Sequence, residues 1–296
     1  MAENFADRLL IAIDRTAPVC VGIDPVYEQL PPALRASSAD EGRRLAAIGT
    51  FCRGVVEAVA GIVPAVKPQS AYFELYREGG VKLYFELVQL ARQAGLIVIG
   101  DVKRGDIGST ASAYAAGHLG HAAAPDAVTV NGYFGADGLE PFVQAARQAG
   151  AGVFVLVRTS NPSAAAVQDF ADSSGRRFYE HMAAQVAALG AADGLTGARG
   201  YSCVGAVVGA TYPAEARRLR EIMPAQVFLV PGYGAQGATA ADCAAAFKPD
   251  GTGAIVNAGR SVIYAHSAPG AAKDWKRAVA DAAKAFAKDI ASAVRR

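Results

Sequence analysis

Short apolar runs rich in β-branched residues recur along the chain and alternate with longer, alanine-rich stretches. Such short runs, bounded by glycine or polar residues, predict buried parallel strands, whereas apolar positions three and four residues apart predict helices. Eight runs meet the strand criterion: residues 19–23, 62–66, 96–100, 127–130, 153–157, 203–208, 227–230 and 254–256. Because each is followed by a helical stretch, the pattern predicts an α/β protein built as a single (β/α)8 TIM barrel.

The helical stretches fit an outer ring around such a barrel. Residues 84–94 carry apolar positions at helical spacing and stop at Gly95, a residue type that commonly ends helices, and residues 275–294 predict a last amphipathic helix. A doubly wound open sheet is the alternative, but its first strand is usually followed by a glycine-rich dinucleotide turn, which Gly22-Ile23-Asp24-Pro25 does not match. No repeat or linker divides the chain, so we expect residues 1–296 to form one domain.

The longest connection between predicted strands spans residues 161–201. It begins with Asn-Pro-Ser-Ala and contains the helix-breaking patch Asp172-Ser173-Ser174-Gly175. Long loops at the carboxyl end of a barrel often close over a ligand. The sequence leaves two interpretations open, a lid over an active site and an inert surface excursion.

The composition limits the classes of partner. With 29 basic and 27 acidic residues, the formal net charge is +2, which gives the chain no general attraction to nucleic acid or anionic lipid. No apolar run approaches the roughly 18 residues of a membrane span, and Asp14 interrupts the apolar stretch near the N-terminus, unlike a signal peptide. The four cysteines are scattered, which is typical of core residues in a reducing compartment. We expect a soluble, cytoplasmic protein.

The third apolar run leads directly into a cluster of charges that includes Asp101, Lys103 and Asp106. Asp101 and Lys103 occupy alternate positions, so their side chains are expected to point the same way, into the mouth of a barrel. A surface loop with ion pairs would be the better interpretation of one Asp-x-Lys pair standing alone. Ionisable and polar residues also occur at the ends of other predicted strands, and together they favour a functional site over a surface loop.

Several other predicted strands end in polar or glycine-rich residues, which a barrel brings to one mouth. They are Asp24, Lys67, Ser160, residues 231–237 and residues 259–261. Glycine-rich turns before a helix expose backbone N–H groups, and Arg260 adds a guanidinium that can bind an oxyanion through two hydrogen bonds. Gly232-Tyr233-Gly234 alone would be a plain tight turn, but together with Gly259-Arg260 it predicts a phosphate-binding site.

Five motifs in chain order resemble those of the orotidine 5'-phosphate decarboxylases. They are Val21-Gly22-Ile23-Asp24-Pro25, Ala65-Val66-Lys67-Pro68, Asp101-Val102-Lys103-Arg104-Gly105-Asp106-Ile107, Pro231-Gly232-Tyr233-Gly234-Ala235-Gln236-Gly237 and Gly259-Arg260-Ser261. The Lys-Arg-Gly-Asp-Ile-Gly form and the chain length are similar to the longer bacterial subgroup, type 2, rather than to the compact one. The resemblance runs from the first predicted strand to the eighth.

The resemblance implies a carboxy-lyase that converts orotidine 5'-monophosphate to UMP and carbon dioxide, the last step of UMP biosynthesis, without a cofactor or metal. It implies that Lys103 donates a proton to C6 and that Asp101 lies against the scissile carboxylate. It also implies a homodimer with shared active sites, in which Asp106 enters the neighbouring subunit's site with Thr110 beside it.

The remaining roles that the resemblance implies concern binding of the nucleotide substrate. Lys67 and Asp24 would hold the ribose hydroxyls. The base and phosphate contacts would come from Ser160, Gln236, Gly234, Gly259 and Arg260. Strand four ends in Asn131, without the histidine of compact members, so Asn131 is expected to make only a minor contact.

Two competing functions share parts of this pattern. A metal-dependent sugar-phosphate aldolase or decarboxylase of the same barrel superfamily is expected to carry an acid that helps bind magnesium where this chain has Lys67. A non-catalytic nucleotide-binding barrel is expected to have lost the lysine or one of the acids. His118 and His121 have a spacing that could hold a metal, but no third ligand is evident in the sequence.

Overall fold

The computed structural model describes residues 3–35, 40–269 and 274–294. In these residues eight parallel strands form a closed barrel, in which each strand pairs with the next and the last pairs with the first. The strands are β1 (Val19–Ile23), β2 (Ala65–Pro68), β3 (Ile97–Arg104), β4 (Ala127–Asn131), β5 (Gly152–Arg158), β6 (Ser202–Val208), β7 (Gln226–Pro231) and β8 (Ala254–Ala258). The prediction of a TIM barrel is confirmed.

Helices connect the strands and cover the outside of the barrel. Within the described ranges the α-helices are α1 (Phe5–Asp14), α2 (Glu41–Val59), α3 (Ser70–Glu74), α4 (Arg77–Gln93), α5 (Gly108–Leu119), α6 (Ala136–Ala149), α7 (Ala165–Gln168), α8 (Phe178–Gly190), α9 (Pro213–Ile222), α10 (Ala240–Ala244), α11 (Arg260–Ile263) and α12 (Trp275–Val294). As predicted, α4 ends just before Gly95, whose φ is +80°. None of the helices in this described part of the chain combines the length and apolarity that a bilayer crossing requires.

Two strands, β2 and β3, differ from their predicted bounds by more than two residues at one end. Ile62 and Val63 belong to a turn that follows α2, because both of their N–H groups bond to the carbonyl of Val59. The side chains of the apolar run at 62–66 pack into the core, in the turn as well as in the strand. Hydrophobicity alone therefore does not show where the turn ends and the strand begins. In contrast, β3 continues four residues beyond its predicted end at Gly100, so Asp101 and Lys103 lie within the strand.

The amino-terminal end of the barrel is covered by α1. The ring of Phe5 lies edge-to-face on Phe154 of β5, with 5.8 Å between ring centroids. The carboxylate of Asp7 accepts hydrogen bonds from the N–H groups of Ala198 and Arg199, in the loop that precedes β6. Because α1 occupies this end, the opposite, carboxyl end of the barrel is the one available to a ligand.

The predicted long connection at 161–201 is divided by α8, which packs on β5 and β6 as a regular barrel helix. The excursion before it is anchored by Arg158, which is 1 % exposed and pairs with Asp169 at 2.9 Å and Glu215 at 2.5 Å. Its guanidinium also lies over the ring of Tyr212, 4.4 Å from the centroid. A buried cation with several partners fixes the base of this excursion to the end of β5. Closure of the excursion over a ligand stays a prediction.

Candidate active site

A cavity of about 430 Å³ opens at the carboxyl ends of the strands. This volume falls within the range of roughly 300–1,000 Å³ that is typical of small-molecule sites. Every strand contributes to the lining, through its own residues or those that follow it: Asp24, Lys67, Gln69, Asp101, Lys103, Thr129, Leu156, Thr159, Ser160, Asn161, Val207, Leu229, Pro231, Gln236 and Asn257. The barrel therefore brings together residues that are far apart in the sequence.

Larger grooves also exist on the outer surface. One of about 630 Å³ lies between α5 and α6, where His121 is the only ionisable group in its lining. His121 bonds to the carbonyl of Gly117, and both His121 and His118 lie beside the ring of Phe85. Burial lowers the pKa of His118 to about 4. The described residues contain no group of three His, Cys, Asp or Glu side chains placed to hold a metal ion.

Asp101 is the centre of the charge cluster in the cavity. Its Oδ2 accepts hydrogen bonds from Lys67 Nζ at 2.5 Å and Gln69 Nε2 at 3.0 Å. Its Oδ1 accepts from Lys103 Nζ at 2.5 Å and from the Thr129 hydroxyl at 3.0 Å. Four donors on one carboxylate fix its orientation and keep two ammonium groups beside it.

The charges in this cluster stabilise one another. Burial by itself raises the pKa of Asp101, but Lys67 and Lys103 hold that pKa well below its usual range. Burial likewise disfavours charged Lys67, yet Asp101 and Asp24 together raise its pKa above the usual value. Asp101 and Lys67 are therefore both ionised at neutral pH, although they are only 6 % and 5 % exposed.

Asp24 and Asn257 present unsatisfied polar atoms at the cavity. Asp24 Oδ1 and Asn257 Oδ1 are buried and have no hydrogen-bond partner among the described residues. Burial raises the pKa of Asp24, against the opposing effect of nearby Lys67. Buried acceptors without partners carry a free-energy cost that a ligand hydroxyl or amide can remove.

The loops after β5, β7 and β8 are neighbours, as the sequence predicts. The hydroxyl of Ser160 donates to Gln236 Oε1 at 2.6 Å, which links the loops after β5 and β7. A Cβ on Gly234, whose φ is +69°, would lie 3.5 Å from Ser261 Oγ, and one on Gly259 would lie 3.3 Å from Asp24 Oδ2. The two glycine-rich turns thus meet beside the cavity. The side chain of Arg260 is exposed next to them and does not line the cavity itself.

Three more of the predicted site residues lie outside the cavity, whose lining also lacks Gly234, Gly259 and Arg260. Asp106 is half-buried, accepts a hydrogen bond from the N–H of Ile107, and forms no ion pair within the described residues. Thr110 is exposed on α5, and Asn131 is exposed with its Oδ1 bound to the N–H of Tyr133. One chain therefore does not place Asp106 against Lys103.

Sequence reasoning assigned no role to five polar residues that line the cavity. Thr159 and Asn161 are the neighbours of the predicted Ser160, and the other three are Gln69, Thr129 and Asn257. Each of these three carried a signal that could have found it. Gln69 lies two positions after Lys67, and alternate residues of an extended segment point the same way. Thr129 and Asn257 each stand between two apolar neighbours in a strand, at positions where a buried polar group needs a partner.

Comparisons with known proteins agree with this geometry. Residues 17–275 match the model of the family described as Orotidine 5'-phosphate decarboxylase / HUMPS family. The orotidine 5'-phosphate decarboxylase of Rhodopirellula baltica is 47% identical over 272 residues, which cover 89% of each chain. That of Deinococcus radiodurans is 44% identical over 283 residues, covering 95% of this chain and 97% of the relative.

Solved structures show the same similarity in three dimensions. The structure of Leishmania donovani OMP decarboxylase superposes with a TM-score of 0.77 at 29% sequence identity, covering 99% of this chain and 100% of that one. The family model spans the barrel from just before β1 to the start of α12, and the similar relatives cover most of the chain. The chain therefore belongs to the orotidine 5'-phosphate decarboxylase / HUMPS family.

Proposed function

We propose that this protein decarboxylates orotidine 5'-monophosphate to UMP and carbon dioxide without a cofactor. The observation that carries the proposal is the cluster of Lys67, Asp101 and Lys103 in a nucleotide-sized cavity. The names of the similar relatives in Rhodopirellula and Deinococcus support the same activity.

Lys103 is the proton donor in this proposal. The bond between C6 and the carboxylate carbon breaks, the electron pair stays on C6, and a proton from Lys103 Nζ forms the new C6–H bond. Its side chain is 46% exposed, so the amine can regain a proton from solvent after each turnover. Removing carbon dioxide from an sp² carbon demands a barrier reduction near the upper end of the about 8–23 kcal/mol that enzymes typically supply.

Electrostatic preorganisation supplies most of this reduction. Asp101 holds the Lys103 ammonium in place before the reaction, so positive charge already lies where negative charge develops at C6. Asp101 also repels the substrate carboxylate, and two like charges about 4 Å apart at a dielectric near 20 interact by about 4 kcal/mol. We rank this ground-state effect below the stabilisation of the transition state.

The nucleotide is held by residues around the cluster. Lys67 and Asp24 bind the ribose hydroxyls, for which the unpartnered Asp24 Oδ1 is an available acceptor. The Ser160–Gln236 pair faces the base and phosphate. The glycine-rich turns with Gly234 and Gly259, together with the exposed Arg260, bind the phosphate, which is remote from C6 and provides binding energy for holding the site closed.

The active form in this proposal is a cytoplasmic homodimer with shared active sites. Asp106 and Thr110 lie outside their own chain's cavity and act in the partner's site, while Asn131 makes a minor contact. Asp106 has no ion-pair partner in the described part of its own chain, which leaves its carboxylate available to the neighbouring subunit's Lys103.

A metal-dependent reaction of the same superfamily is the competing function. The residue at position 67 distinguishes it from the cofactor-free decarboxylation. In this chain a lysine rather than an acid pairs with Asp101, and a cation there opposes magnesium binding. The test is the loss of orotidine 5'-monophosphate absorbance with purified protein in excess chelator. We expect full activity in chelator and none in Lys103→Ala, which should still bind UMP. Activity that returns only with magnesium would favour the metal-dependent reaction.

A further inference from the structure

Thr129 ties both ends of Lys103 to one carboxylate oxygen. Thr129 lies in β4, is 1 % exposed, and accepts a hydrogen bond on its hydroxyl from the backbone N–H of Lys103 at 3.0 Å. The same hydroxyl donates to Asp101 Oδ1 at 3.0 Å, and that oxygen also accepts from Lys103 Nζ at 2.5 Å. The result is a closed ring of hydrogen bonds through the backbone and the side chain of Lys103.

The backbone of Lys103 is where such support is needed. Residues of β3 and β4 pair regularly as far as Gly100 and Val128, but the next pair joins Arg104 to Val130, so β3 bulges between them. Lys103 lies in this bulge with φ at +45°, a left-handed conformation that residues other than glycine rarely adopt. Conformations of this kind persist only where the surrounding structure holds them.

We propose that Thr129 is a positioning residue, which holds Lys103 in this left-handed conformation with its ammonium beside Asp101 and directed at the cavity. The inference rests on the proposed role of Lys103 as proton donor. A threonine suits the position because its hydroxyl accepts one hydrogen bond while donating another, and its β-branch restricts the rotamer. Valine has nearly the same shape but offers neither hydrogen bond.

The test compares Thr129→Val and Thr129→Ser with the parent protein. We expect Thr129→Val to lower kcat for orotidine 5'-monophosphate by roughly 10- to 100-fold, because a displaced catalytic group loses its alignment. The KM and the inhibition constant of UMP should change little, since the proposed ribose and phosphate contacts lie elsewhere. Thr129→Ser keeps the hydroxyl and should restore most of kcat. If valine impairs folding, Thr129→Ala provides the same comparison.

A matched control is Thr50→Val in α2, where an exposed threonine hydroxyl bonds to the carbonyl of Ala46. It should match the parent protein in kcat and melting temperature. An unchanged kcat in Thr129→Val, with Lys103→Ala inactive, would overturn the inference alone. The inference would also be overturned if Thr129→Val lost both kcat and melting temperature and Thr129→Ser restored neither. A Lys103→Ala variant that still turns over would overturn the proposed function as well.

Discussion

Replacing Asp101 with asparagine removes the anion on which two lysines converge, while the side chain keeps its size. Lys67 Nζ and Lys103 Nζ each lie 2.5 Å from a carboxylate oxygen of Asp101, and Lys67 is 5 % exposed. Breaking a buried pair by removing one partner costs about 3–5 kcal/mol, because the other charge stays out of water. Asp24 remains near Lys67, and Lys103 reaches solvent, so we expect the lower end of that range, about 3 kcal/mol.

An exposed pair of similar length provides the control. Glu57 and Lys276 are joined at 2.6 Å, but their side chains are 60% and 45% exposed. Exposed ion pairs contribute about 0.2–1 kcal/mol, so Glu57→Gln should cost no more than this. Since the two pairs have nearly the same length, the comparison isolates the effect of burial.

The assay is urea unfolding at pH 7, with the free energy of unfolding obtained from the midpoint and slope. The pH dependence gives a second check. Because the pKa of Asp101 is lowered in the folded state, its ionised form contributes stability above about pH 4, and this contribution is lost as the pH falls further. The difference between parent and Asp101→Asn should therefore narrow below about pH 4. A cost equal to that of Glu57→Gln, or a difference that stays constant down to pH 3, would refute the reasoning.

Three further outcomes follow from the structure. Arg260→Ala should lower kcat/KM, with a loss of transition-state stabilisation of about 1.5–3 kcal/mol for each charge-assisted hydrogen bond to the phosphate that is removed. Unchanged steady-state kinetics would show that Arg260 does not bind the phosphate. Mixing inactive Lys103→Ala and Asp106→Ala subunits should restore about a quarter of parental activity, since half of the dimers are hybrids with one intact site. No recovery in a mixture shown to contain hybrids would place Asp106 in its own chain's site. Burial raises the pKa of Cys20 to about 12 and that of Cys203 to about 11, so thiol reagents at pH 8 should react slowly until the protein is denatured. A fast-reacting thiol in the native protein would contradict this.

The barrel could be predicted from the sequence because strand and helix periodicity are local properties. β1 was predicted to the residue, and most other strands to within one or two, since an apolar run bounded by polar residues marks a buried strand. The location of the site could also be predicted, because a closed barrel brings the carboxyl ends of all eight strands around one cavity, independently of the conformation of the loops. Lys67, Asp101 and Lys103 could thus be assigned to one site before any contact was known.

The geometry of that site was decided only by tertiary structure. The bulge in β3 and the left-handed backbone of Lys103 depend on its pairing with β4, whose Thr129 is distant in the sequence. Whether a polar residue in an apolar strand faces the cavity or the helices depends on the register around the barrel, which no local pattern encodes. The polarity of Thr129 and Asn257 could therefore mark them as candidates, but only the structure places them at the cavity. Local periodicity determines which elements form, whereas strand pairing across the closed barrel determines which side chains meet.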